Sequence, residues 1–312
     1  VLRGLLLAAA GSARLRRWVT ALPPTRAVVA RFIAGDTLAD GIDAARSLAS
    51  RGLDSTIDVL GEHTDTLAQA QAATASYLDL LQRVHEAGLA GSVEVSLKLT
   101  ALGAGLPGAP GSDSAALAEA NARRICAAAA AIGTTVTLDA EDHTTTDTTL
   151  AIAGRLRPDF PDLGVVLQAA LFRTPLDADR LGGPGARVRL CKGAYAEPAT
   201  LAWQRREEVN AAYLRVLGRL FAAGACPLVA SHDPELIAAA PGLATASGRT
   251  ADDYEHQFLY GIRTDEQLAL AAAGRRVRIY VPCGTDWWAY FMRRLAERPA
   301  NLGFFLRALV GR

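Results

Sequence analysis

The chain has 312 residues, half of them hydrophobic, enough for one large domain with a substantial core. Its 33 Lys and Arg nearly balance 32 Asp and Glu, leaving a net charge of +1; nucleic acid is disfavoured as the main partner, because that would call for a strongly basic surface. Neither the four cysteines (Cys126, Cys191, Cys226, Cys283) nor the five histidines show a CxxC or HExxH spacing, so no metal site is expected and the scattered thiols fit a reduced, cytoplasmic protein.

The N-terminal stretch reads as helical over Ala8–Val19, Pro24–Ala34 and Thr37–Arg51. Arg3 before the apolar run Leu5–Ala10 resembles a signal peptide. However, Arg14, Arg16 and Arg17 stand where a cleavage region belongs, so an amphipathic helix is expected. No apolar run is long enough to span a bilayer. From residue 55 onward, β-rich runs alternate with Ala- and Leu-rich stretches. The predicted strands are Ser55–Leu60, Val93–Leu99, Thr135–Asp139, Gly164–Gln168, Arg187–Leu190, Pro227–Ser231, Glu255–Tyr260 and Val277–Val281. The predicted helices between them are Thr66–Ala87, Ser114–Ile132, Thr146–Leu156, Glu207–Ala223, Pro234–Ala240 and Asp265–Ala273. Strands and helices in this alternation predict an α/β fold, a distorted (β/α)8 TIM-type barrel over residues 55–312, preceded by a helical arm over 1–54. The rival, a doubly wound open sheet, would need a Gly-rich phosphate loop, and neither GxGxxG nor GxxxxGK[ST] occurs.

Barrel chemistry sits at the C-terminal ends of the strands. There the sequence places polar residues that a core would not choose: Glu62 and His63 after the first strand, Lys98 in the second, Asp139, Glu141 and Asp142 after the third, and Gln168 at the end of the fourth. Arg189 and Lys192 follow on the fifth, Ser231, His232 and Asp233 on the sixth, Gln257 on the seventh and Tyr280 on the eighth. Each has a structural alternative: Lys98 as a snorkelling rim lysine, Asp139 and Glu141 as a helix cap and first-turn charge, His232 as a satisfied rim histidine. Together they are better explained by function, because unpaired buried polar groups cost stability.

Past the last strand comes Tyr290-Phe-Met-Arg293-Arg294-Leu-Ala-Glu297. On a helix, Arg293 and Arg294 could close on one anion from two sides, with Glu297 within reach of either. The cations Lys98, Arg189, Lys192, Arg293 and Arg294 predict an anionic substrate or cofactor. Two reaction classes fit: a flavin enzyme acting on an acid, and a Schiff-base lyase using Lys98 or Lys192. A catalytically inactive barrel used as a binding module is the non-enzyme alternative.

Taken in order, Ser96-Leu-Lys98-Leu-Thr-Ala-Leu102, Leu138-Asp139-Ala-Glu141, Val166-Leu-Gln168-Ala, Arg189-Leu-Cys-Lys192-Gly-Ala-Tyr195, Ser231-His232-Asp233, Gln257-Phe-Leu-Tyr-Gly261, Arg278-Ile-Tyr280-Val-Pro-Cys-Gly284 and the Arg293-Arg294 helix resemble the proline dehydrogenases, over roughly residues 50 to 305. The likeness is to the bacterial single-function form. It implies FAD as cofactor, L-proline as substrate and Δ1-pyrroline-5-carboxylate as product, with a separate chain as the next dehydrogenase and membrane quinone as electron acceptor. It further implies that Lys98, Arg293 and Arg294 bind the proline carboxylate, and that Asp139 and Arg189 are catalytic-site residues. Tyr280, Tyr290 and Leu259 would wall the pyrrolidine ring, and Glu62 would gate the site with Arg293. Ala140, Gln168, Arg189, Lys192, Gly193, Ala194, Ser231 and His232 would contact FAD. Ala196 departs from the Trp found there in some fused enzymes, which puts one aromatic flavin contact in doubt. The apolar segment Leu302–Val310 is read as packing on the barrel, with a peripheral contact at the inner face of the cell membrane as the alternative.

Overall fold

The computed structural model describes residues 29–61, 64–107, 111–288 and 290–292. Eight strands close into a parallel barrel in chain order: β1 Asp54–Val59, β2 Val93–Leu97, β3 Val136–Leu138, β4 Gly164–Gln168, β5 Arg187–Cys191, β6 Cys226–Ala230, β7 Glu255–Leu259 and β8 Val277–Cys283. β8 pairs back onto β1, with Thr56 opposite Tyr280 and Asp58 opposite Pro282. The helices are α1 Leu38–Ala49, α2 Leu67–Glu86, α3 Gly111–Ala131, α4 Thr146–Leu156, α5 Thr174–Leu181, α6 Arg206–Ala222, α7 Pro234–Ala246 and α8 Thr264–Ala272.

Local signals set these boundaries. Thr37 and Thr66 cap α1 and α2 in reciprocal capping boxes with Asp40 and Gln69. At the other end of α3, Gly133 takes φ +77°, and the Thr134 amide reaches back to the Ala129 carbonyl. Gly224 ends α6 in the same way, with the Ala225 amide on the Leu220 carbonyl; a side chain at either glycine would be strained. The helices pack their apolar faces onto the outward side chains of the strands, among them Ile57, Val95, Leu97, Leu138, Val165, Val188 and Leu190. A second cluster near the C-terminal end of the barrel joins Phe32 and Ile33 to Leu60, Trp288, Tyr290 and Phe291.

The predicted strands agree with the observed ones to within two residues at every end. The sequence reading missed α5, a single polar stretch with Pro175 in its first turn, whose short length gives too little periodicity to detect. It also ended α7 before Pro241, whereas the helix continues to Ala246; the missing amide costs one helical bond without stopping the chain. Within the predicted arm, α1 packs against β1 and β8. Glu62, His63, Arg293, Arg294, Glu297 and the Leu302–Val310 segment lie outside the described residues.

The inward faces of the strands are unusual for this architecture, where branched apolar layers normally fill the barrel. Here they carry Asp54, Thr56 and Asp58 on β1, Glu94 and Ser96 on β2, Arg187 and Arg189 on β5, Glu255 and Gln257 on β7, and Arg278 on β8. At the N-terminal end, Arg278 donates to Glu255 at 2.8 Å, to Asp54 at 3.2 Å and to the Ser55 carbonyl at 2.9 Å. Glu94 accepts from Arg187 at 2.5 Å, Arg189 at 2.8 Å and Thr56 at 2.7 Å. Burial would raise the carboxyl pKa of Glu94 and Glu255. The guanidiniums outweigh it and hold both below the usual carboxylate range.

His256 faces the other way, into the apolar layer outside the barrel. Its ring lies edge-on to Tyr254 at 5.4 Å, and neither ring nitrogen has a hydrogen-bond partner. Burial depresses its pKa from 6.5 to about 4. The unfolded chain therefore takes up the proton first, and stability falls as pH drops from 6.5 towards 4. The loss across that window is about 3 kcal/mol. Urea unfolding of His256→Met should show a flatter pH dependence there than the parent; an unchanged slope would assign the acid sensitivity elsewhere.

Candidate active site

At the C-terminal mouth the strands converge on a fully paired polar cluster. Asp139, just past β3, accepts from Ser96 Oγ at 2.6 Å, Arg189 Nη1 at 2.8 Å and the Tyr280 hydroxyl at 2.6 Å. Lys98, just past β2, places its Nζ 2.8 Å from both carboxylate oxygens of Asp58 and 3.8 Å from Asp139. Tyr77 of α2 closes the cluster from outside, donating to the Ser96 carbonyl at 2.7 Å. Burial, followed by the charges of Asp139 and Asp58, pushes the Tyr280 phenol well above its ordinary pKa. Tyr280 therefore stays a hydrogen-bond donor to Asp139.

Arg189 links this cluster to the barrel interior. Its Nε donates to Gln257 at 2.6 Å, its Nη1 to Ser96 and Asp139, and its Nη2 to Glu94 and Thr56. These bonds account for all the donors of a guanidinium. Its carbon also stands 5.4 Å over the Tyr280 ring, a cation–π geometry. Burial works against its charge, but Asp139 and Glu94 outweigh it and raise its pKa.

A second group lines the neighbouring rim. Gln168 donates to the Glu141 carbonyl at 2.8 Å, and Glu141 accepts from the Thr100 amide and hydroxyl. After β5 residues 192–195 are half-buried and irregular. Gly193 adopts φ +114°, and a Cβ there would stand 3.3 Å from both Gln168 Oε1 and Ala170 Cβ. Lys192 pairs with Asp233 at 2.6 Å, and Arg206 joins the same carboxylate at 2.9 Å. Burial pushes the Asp233 carboxyl up, but the bonds from Lys192, Asn210 and Arg206 outweigh it and hold it well below the usual range. Ser231 is buried and accepts from the Asp233 amide, while His232 Nε2 accepts from the Leu259 amide at 2.9 Å.

Of the residues predicted from sequence, Lys98, Asp139, Arg189 and Tyr280 thus meet in one cluster. Gln168, Lys192, Gly193, Ala194, Ser231 and His232 occupy the rim of β4 to β6, with Ala140 beside Asp139 and Leu259 at the end of β7. Tyr290 is buried in the apolar cluster with Phe291 and Trp288. Glu62, Arg293 and Arg294 lie outside the described residues. Asp139 is no helix cap and Lys98 does not snorkel: both are buried and bonded. Each of the cations Lys98, Arg189 and Lys192 is paired with a carboxylate. Sequence reasoning missed Asp58 and Glu94. The strict alternation in Val93-Glu94-Val95-Ser96-Leu97-Lys98 could have found Glu94, since in a barrel covered by helices the second face can point only inward.

The model of the family described as Proline dehydrogenase matches residues 42–307. Proline dehydrogenase of Deinococcus radiodurans is 38% identical over 282 residues, covering 90% of this chain and 89% of that one. Proline dehydrogenase 1 of Bacillus subtilis is 36% identical over 286 residues, covering 92% of each. Among solved structures, proline utilization A (PutA) from Bdellovibrio bacteriovorus, inactivated by N-propargylglycine, superposes with a TM-score of 0.81 at 25% identity. That match covers 88% of this chain but 33% of the larger one. With a family model spanning most of its length and relatives of similar length more than one-third identical, the chain belongs to the proline dehydrogenase family.

Proposed function

We propose that the chain oxidises L-proline to Δ1-pyrroline-5-carboxylate with FAD at the C-terminal mouth of the barrel, and passes the electrons to membrane quinone. A separate pyrroline-5-carboxylate dehydrogenase chain would take the product. The observation that carries this reading is the Asp58–Lys98 and Asp139–Arg189–Tyr280 cluster at the mouth, in a chain of this family. The rim fits the cofactor. At Gly193, φ of +114° disfavours any side chain and a Cβ would press on Gln168 and Ala170 at 3.3 Å, so the half-exposed residues 192–194 offer a low edge suited to a flat ring system. In this reading Ala140, Gln168, Lys192, Gly193, Ala194, Ser231 and His232 hold FAD, which supplies the two-electron acceptor.

The remaining chemistry belongs to the protein's own side chains. Lys98, Arg293 and Arg294 grip the substrate carboxylate and fix the ring, so that its C5–N1 bond is presented in one orientation. Tyr280, Tyr290 and Leu259 form apolar walls around that ring, and Glu62 closes over it through Arg293, excluding water. Asp139 is immobilised by its three donors, a preorganised negative charge beside the substrate amine. With its donors engaged inside the barrel, Arg189 acts by holding Asp139 and by its charge. The Schiff-base alternative is disfavoured by the pairings of both lysines, since an ammonium held by a carboxylate is a poor nucleophile.

The direct test is spectroscopic. Purified protein should be yellow and should bleach when L-proline is added without oxygen; a colourless protein, or one that proline leaves coloured, would sink the proposal. Arg293→Met and Arg294→Met should each stay yellow while KM for proline rises roughly ten- to a hundredfold, the equivalent of about 1.5–3 kcal/mol per charge-assisted bond. Normal KM in both variants would remove the carboxylate clamp. Lys98→Arg should keep measurable proline oxidation, because a cation remains. Mass spectrometry after borohydride treatment with proline should find no substrate adduct on Lys98 in the parent. A stoichiometric adduct would favour the lyase.

A further inference from the structure

We propose that Asp58 is a positioning residue for the substrate carboxylate: it pins Lys98 and keeps its ammonium charged at the alkaline pH where the substrate's ring nitrogen is neutral. The inference rests on the reading of Lys98 as a carboxylate anchor. Its geometric basis is a two-pronged contact, with both oxygens of Asp58 2.8 Å from Nζ. Neither partner is open to water: Asp58 is 0% exposed and Lys98 7%. Strand pairing fixes the arrangement, since Asp58 lies opposite Ser96 of β2 and Pro282 of β8.

The surroundings assign the counter-ion. Around Lys98, among the described residues, stand Asp58 from β1, Asp139 from the end of β3, Tyr280 from β8 and Tyr77 from α2, with Arg189 of β5 behind Asp139. Asp139 lies 3.8 Å from Nζ, but its two oxygens are already occupied by Arg189, Ser96 and Tyr280. Tyr77 and Tyr280 are phenols whose pKa values burial raises well above 10, so neither supplies negative charge. Among the described residues, Asp58 is therefore the carboxylate that answers the lysine most directly.

The reaction imposes two opposed demands. Electrons leave the C5–N1 bond only when the ring nitrogen has shed its extra proton, which favours alkaline conditions. The carboxylate anchor must stay cationic under those same conditions, yet a lysine this buried loses its proton readily. A carboxylate locked beside Nζ satisfies both demands. Burial pushes the Asp58 carboxyl upward against the pull of Lys98. Its contact with Nζ through both oxygens is the geometry of a carboxylate facing an ammonium.

The test uses a probe that cannot titrate or react: cyclopentanecarboxylate, the substrate ring without its nitrogen. Its Kd for the purified holoenzyme is measured by calorimetry from pH ~7 to pH ~9.5, the range in which an unassisted buried lysine discharges. The parent should bind with nearly constant Kd. Asp58→Asn, which keeps the shape and removes the charge, should weaken by about tenfold per pH unit once the ammonium discharges. Asp58→Asn combined with Lys98→Arg should be flat again, because a guanidinium does not titrate there; a purely structural role for Asp58 would give no such rescue. A profile for Asp58→Asn as flat as the parent's overturns the proposal. If Lys98→Met binds the probe as tightly as the parent, the anchor reading itself fails and takes the proposal with it, a different result from the first. Should Asp58→Asn not fold, the Lys98 Cε resonance of the parent, assigned by its loss in Lys98→Arg, decides. It should keep its ammonium shift past the ordinary lysine pKa of about 10.4, and a titration below that value overturns the proposal.

Discussion

Everything inside this barrel depends on one buried carboxylate, Glu94. It sits on β2 with 1% exposure and accepts from Arg187 on β5, Arg189 on β5 and Thr56 on β1. Arg278 and Glu255 complete the group from β8 and β7. No charge at such depth is tolerated alone, because desolvation outweighs what a single ion pair returns. Removing one partner from a buried pair typically costs about 3–5 kcal/mol. Apolar side chains of the same volume could fill the space at similar or better stability, so the network is poor evidence of a gain in stability. Its consequence is positional. Five strands are tied across the barrel by bonds that tolerate little displacement, and the register of each strand is fixed from inside as well as by its neighbours.

Arg189 carries that rigidity to the mouth. One edge of its guanidinium is held by Glu94 and Thr56, while Nη1 holds Asp139 and Ser96. Asp139 in turn fixes the Tyr280 hydroxyl. A polar chain thus runs from the floor to the proposed substrate ring without a break, and every member is satisfied. Such a chain needs no reorganisation when a ligand arrives, which is the condition for electrostatic groups to act on a transition state. It also separates two kinds of variant. Changes at Glu94 or Arg278 act through folding, whereas changes at Lys98 or Tyr280 act where the substrate would lie.

The fold was almost wholly legible from sequence because its signals are local. Alternating β-rich and Ala/Leu-rich runs mark all the strands, and threonine caps and glycines mark the ends. α5 escaped because eight residues with Arg and Asp in them show no clear face. The site was legible in outline. Lys98, Asp139, Gln168, Arg189 and His232 stood out as polar residues at strand ends; the structure joins Lys98, Asp139 and Arg189 in one cluster and puts Gln168 and His232 on the rim beside it. Which carboxylate meets which cation was not legible, since Asp58 meets Lys98 across two strands separated by 40 positions. Periodicity places a residue on a face, and only closure of the barrel says which faces meet. For the same reason sequence alone names the cations of the site and does not show which carboxylates answer them.

Those pairings bear on how an anion could be held there. Lys98 is balanced by Asp58, Arg189 by Glu94 and Asp139, and Lys192 by Asp233. An incoming carboxylate therefore meets a mouth whose described cations already have carboxylate partners. Donors alone can orient it, but tight binding in a dry site needs net positive charge. In the proposed reading Arg293 and Arg294 supply that charge. Lys98, pinned by both oxygens of Asp58, fixes the direction from which the carboxylate is held. The division of labour follows from chemistry. A guanidinium keeps its charge at any pH the enzyme meets, so it suits the attracting role, whereas a buried lysine keeps its charge only with a carboxylate beside it.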